Sequence, residues 1–176
     1  MKTLETIQKT FDVFRVLAKI AMILTLVWAG LSALGLLCCV VWYTGGTVVG
    51  GDPELLKTMI GTGSFPQMIG VLTATVIGAL TEGTLLAYAY GYLKAEQADG
   101  TPFTHRGATQ IRQLGIRCIV LPLVASILIA VVYGVFDVSQ GLGGDWGNEA
   151  GVTMGIVLIL ASLVFRYGAE LEEKAR

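Results

Sequence analysis

The chain has 176 residues, of which 54% are hydrophobic and only 14% charged, with a net charge of −1. An ordinary soluble domain carries about 25% charge, and so short a chain has too little polar sequence to cover several long apolar runs in water. A near-neutral chain also lacks the basic footprint of a nucleic-acid binder, so no direct nucleic-acid binding is expected.

The N-terminal stretch, about residues 3–17, places Leu4, Ile7, Phe11, Phe14 and Ala18 at alternating three- and four-residue steps. This is the stripe of an amphipathic helix, and it is expected to run on into the first membrane span. No charged residue occurs from Ile20 to Gly51, which is more than the about 20 residues a helix needs to cross the hydrocarbon core. The spacing predicts a span over about 18–43. That span is too long for a secretory signal and lacks its small-residue exit, so it is expected to remain as an anchor. Cys38, Cys39 and Cys118 all lie in apolar spans, where they read as small hydrophobes rather than a disulfide framework.

Asp52-Pro53-Glu54 is a helix start, with Asp as cap and Pro in the first turn, so "ELLKTMI" predicts a short helix resting on the membrane. The next uncharged run, Thr58 to Thr81, leads into a second span over about 67–93. A loop follows over 94–113, where Asp99-Gly100 marks a turn and Pro102 blocks a continuing helix. Thr104 fits the N-cap of a helix that carries Ile111 and Leu114 into a third span over about 114–136. The Gly-rich segment "DVSQGLGGDWGNEAG" forms the second outer loop, with Trp146 as an interfacial anchor. The fourth span, about 150–167, is the shortest and requires Arg166 to snorkel. A charged helical end over 166–176 closes the chain.

Cytoplasmic loops retain Lys and Arg. With four spans, Lys2, Lys9, Arg15, Lys19, Lys94, Arg106, Arg112, Arg117, Arg166, Lys174 and Arg176 share one side, and Lys57 alone falls on the other. Both termini are therefore expected in the cytoplasm. The expected fold is all-α, a polytopic membrane protein whose four transmembrane helices form an antiparallel bundle, as a single membrane domain over 1–176 embedded in the lipid bilayer.

Glu82 lies near the middle of the second span, where an acidic side chain costs roughly 2.5–3.5 kcal/mol on insertion scales. Gly70, Ala74, Gly78 and Glu82 recur at four-residue steps, so Glu82 is expected to face the bundle interior, with Thr81 and Thr84 beside it. It is either a proton, cation or ligand site or a protonated acid hydrogen-bonded across the bundle. Ser126, Ala130 and Gly134 in span three, and Gly151 with Gly155 in span four, are further small-residue packing faces.

Little supports enzyme chemistry. His105 is the single histidine and has no Cys or carboxylate at metal-ligand spacing. No nucleophile elbow and no Walker-type phosphate loop occurs, and "GTGSF" at Gly61–Phe65 lacks the lysine. No catalytic residue, metal or cofactor is expected.

Two segments, "DGTPFTHRGATQIRQLG" and "FRYGAELEE", resemble the Gly-x-Pro-Phe-Thr turn and the closing Phe-x-x-Gly-x-x-Leu-x-Glu stretch of a bacterial family of four-span membrane proteins named only as a domain of unknown function. That family's tail continues through further polar residues, whereas this sequence ends at Arg176. Members are often encoded beside a small helix-turn-helix regulator. The resemblance implies a bacterial inner-membrane protein that holds or informs such a regulator. The contact surface would be Gly100, Pro102, Phe103, Thr104, Arg106, Arg112, Tyr167, Gly168, Leu171 and Glu172. The plain alternative is that Pro102-Phe103-Thr104 only turns the chain and caps span three. The leading functional expectation is a non-enzymatic membrane regulator or sensor. The second is a small transporter or channel component that uses Glu82 and works as a homo-oligomer, because four spans make a thin bundle for a pore.

Overall fold

A computed structural model of the protein describes residues 2–45, 53–99, 105–138 and 148–175. Helix is the only regular structure among them, in five elements: α1 Lys2–Tyr43, α2 Pro53–Ile60, α3 Phe65–Asp99, α4 His105–Phe136 and α5 Asn148–Ala175. Three are long and apolar enough to cross a membrane, over Asp12–Tyr43, Phe65–Ala95 and Arg106–Phe136. The apolar part of α5, Val152–Gly168, is shorter. At 1.5 Å per residue it extends about 25 Å, below the roughly 30 Å hydrocarbon core. Helix is what hydrocarbon demands, since it satisfies each backbone N–H and C=O within its own segment. Thr73, Thr75 and Thr81 do the same with their hydroxyls, donating to the carbonyls of Ile69, Val71 and Ile77 at 2.7, 2.9 and 2.8 Å.

The helix ends follow local chemistry. α1 stops where Gly45 takes φ 84°, and Thr44 N–H donates to Val40 O at 3.0 Å. The short helix read from Asp52-Pro53-Glu54 is α2, with Pro53 as its first residue. It closes in a Schellman motif: Gly61 at φ 75°, Thr62 N–H to Lys57 O at 3.1 Å, and Gly61 N–H to Thr58 O at 3.3 Å. Ser64 then caps α3, its hydroxyl accepting from Gln67 N–H at 3.5 Å. "GTGSF" is thus the corner between two helices. α4 ends with Asp137 at φ 50° and Val138 N–H on Tyr133 O at 3.0 Å. Here an aspartate holds the left-handed position that glycine usually fills.

The chain forms two compact units, and the division cuts through helices. Unit 1 contains Met1–Leu24, Glu82–Pro122 and Gly147–Arg176, and unit 2 contains Thr25–Thr81 and Leu123–Trp146. The α4 boundary falls at Pro122, which has no N–H to donate to the preceding turn.

In unit 2 the interior is made of small and medium side chains, among them Ala29, Ser32, Cys39, Met68, Ala74, Ala79 and Ala125. Gly70 belongs to this interior: a Cβ there would lie 2.8 Å from both Phe136 Cβ and Val138 Cγ2. In unit 1 Ala108, Ile111, Leu114 and Ser162 are buried. Large apolar side chains, such as Leu24, Trp28, Leu34, Ile127, Val135, Leu160 and Val164, lie on the outside. Small residues inside and leucines outside are the arrangement of helices solvated by lipid. The three cysteines are free thiols.

Two stripes differ from the sequence expectation. Gly70, Ala74 and Gly78 are buried, but Glu82 is exposed. Four residues advance a 3.6-residue helix about 40° past a full turn, so twelve residues turn the stripe by about 120° and carry Glu82 off the packed face. Ser126 is half-buried, whereas Ala130 and Gly134 are exposed, and a Cβ on Gly134 would meet nothing within 4 Å. The same drift removes these two residues from the interior.

Candidate functional site

The close crossing of unit 1 is built on glycine. A Cβ on Gly155 of α5 would lie 2.8 Å from Gly115 O and 2.5 Å from Ile119 Cγ1 of α4. A Cβ on Gly115 would lie 2.9 Å from Gly155 O. The two helices meet backbone to backbone, which only glycine at both positions permits. Gly155 was expected at a packing face; Gly115 was not. Its signal lay in the sequence, since Ala108, Ile111, Leu114 and Gly115 follow one helical face.

The ends of α3 and α4 that meet in unit 1 carry aromatic and cationic side chains. The Arg117 guanidinium lies 3.9 Å from the centre of the Tyr88 ring, a cation–π stack. Arg15 of α1 lies 5.7 Å from the centre of the Tyr90 ring. A half-open cavity of about 220 Å³ opens between α3 and α4. Tyr88, Gly91 and Tyr92 line it from α3, and Gln110, Gln113 and Arg117 from α4. Ala87 and Leu114 supply its apolar wall. No carboxylate is among these residues. The arrangement is therefore net positive and rich in N–H donors.

The residues singled out in the sequence are scattered. Glu82 and Thr84 are exposed and Thr81 is half-buried. Arg106 and Arg112 are exposed near the start of α4, and Tyr167, Leu171 and half-buried Gly168 lie near the end of α5. Gly100, Pro102, Phe103, Thr104 and Trp146 lie outside the described residues, as do the side chains of His105, Glu172 and the N-terminal Leu4, Ile7 and Phe11 and the surroundings of Gly151. No group of three or more His, Cys, Asp or Glu side chains that could hold a metal ion occurs among the described residues. The cavity was missed because Tyr88, Tyr92, Gln110, Gln113 and Arg117 follow no known motif. Only their placement on two neighbouring helices brings them together.

No family model, no curated protein and no solved structure matches the chain.

Proposed function

We propose that this chain is a non-enzymatic regulator or sensor of the bacterial inner membrane, with both termini in the cytoplasm and a cytoplasmic face that binds a protein partner. The charge asymmetry of the sequence supports the orientation, because Lys57 alone lies opposite the other basic residues. One observation carries the partner-binding reading. Tyr167 and Leu171 are 64% and 49% exposed and lie four residues apart, on one face of α5. Leu171 lies beyond the apolar stretch that ends at Gly168. An exposed Tyr–Leu pair beside the exposed ion pair of Arg166 and Glu170, 3.5 Å apart, suits an amphipathic protein surface. The family resemblance suggests a helix-turn-helix regulator as the occupant.

A photo-crosslinking residue at Tyr167 or Leu171, with one at Tyr43 as the control, tests this in cells. Adducts to one small helix-turn-helix protein from the α5 positions alone are expected. Equal adducts from Tyr43, or none from α5, reject the reading. The alternative of ion movement through Glu82 gains no support from a carboxyl that lies outside the packed face of its own chain. Such a role would require a second copy to enclose it.

A further inference from the structure

We propose that the cavity between α3 and α4 of unit 1 is a binding site for a phosphate-bearing anion of the cytoplasmic membrane surface. It is independent of the protein-partner reading. The cavity lies toward the end of the apolar span Phe65–Ala95 and toward the start of the span Arg106–Phe136. Arg117 immediately precedes the uncharged run Cys118–Phe136, so it stands at headgroup depth, where tyrosines also gather.

The donor set defines the ligand class. Arg117 supplies a planar fork of N–H donors, the geometry that binds phosphate oxygens two at a time. The Tyr88 ring, its centre 3.9 Å from the guanidinium carbon, holds the Arg117 head in the cavity wall. Gln110 and Gln113 add amide donors from the same wall. Among the described lining residues there is a cation and no carboxylate, which favours an anion over a cation. Size narrows the choice. Pockets for drug-sized ligands run roughly 300–1,000 Å³, and this one, at about 220 Å³, suits a phosphate with little attached. Its half-open mouth leaves the rest of a lipid outside. Gly91 keeps the space clear, since a Cβ there would meet nothing within 4 Å.

The experiment is native mass spectrometry of the full chain released from micelles containing equal phosphatidylglycerol and phosphatidylcholine, with and without inorganic phosphate. The wild type is expected to retain phosphatidylglycerol preferentially. Arg117→Gln should lower that retention about tenfold or more, the worth of a charge-assisted hydrogen-bonding group. Gly91→Leu fills the cavity with a better helix former, so its loss of retention is not a loss of folding. Arg166→Gln, which removes an exposed cation of α5, should retain lipid as the wild type does. If inorganic phosphate displaces the lipid, the site takes the free anion as well as the anionic headgroup; if it does not, the site is specific to the anionic lipid headgroup. Retention of phosphatidylcholine equal to phosphatidylglycerol, or undiminished retention in both Arg117→Gln and Gly91→Leu, overturns the proposal.

Discussion

The two compact units put small residues to different uses. In unit 2 the stripe Gly70, Ala74 and Gly78 forms a sealed interior, with Gly70 closed over by Phe136 and Val138 of the α4 end. Its corners are fixed by hydrogen bonds: the backbone bonds of the Schellman motif after α2, the Ser64 hydroxyl cap, and the bond from Gln67 Nε2 to Asp137 O at 3.2 Å. In unit 1 glycine draws two helices together at Gly115 and Gly155, and the polar side chains gather around a cavity between α3 and α4. The difference teaches that small residues alone do not mark a functional face. What distinguishes unit 1 is the arginine and tyrosine chemistry beside the packed crossing.

The comparison breaks first at the Gly115–Gly155 crossing. Gly155→Leu places a side chain against a backbone carbonyl that cannot step aside, so a destabilisation of more than about 3 kcal/mol is expected. Gly134→Leu, into open space, should be tolerated or stabilising by up to about 1 kcal/mol through helix propensity. Tryptophan-fluorescence melts in detergent compare the two, and equal losses would mean that the crossing is no closer than the exposed stripe.

A second effect sharpens the boundary between the units, where Glu82 begins unit 1. If its carboxyl faces lipid, Glu82→Leu should favour membrane insertion of α3 by about 3 kcal/mol, read as the inserted fraction in a glycosylation-site reporter. An unchanged fraction would show that the carboxyl has a partner. The smallest effect concerns the α4 end of unit 2. Asp137→Gly relieves a left-handed residue at φ 50°, partly offset by the freedom glycine gives the unfolded chain. A gain of about 0.5 kcal/mol is expected in the same melts, and a loss would mean that the aspartate side chain contributes more than its backbone strain costs.

The sequence by itself determined the helices and their apolar spans. Long uncharged runs permit nothing but helix in hydrocarbon, and the short signal Asp52-Pro53-Glu54 marks the start of α2. These are local properties, readable from neighbours along the chain. Facing is not local. A four-residue stripe drifts about 40° at each step, so Gly70 and Glu82 shared a pattern without sharing a face, and Ala130 and Gly134 left the interior for the same reason. Only the tertiary structure decided that Gly115, on the face that Ala108, Ile111 and Leu114 share, meets Gly155, and that Arg117 lies on Tyr88 in the wall of a cavity. Those pairings depend on the rotation of each helix about its own axis, which is set by packing against its neighbours and not by the residues beside it in the chain.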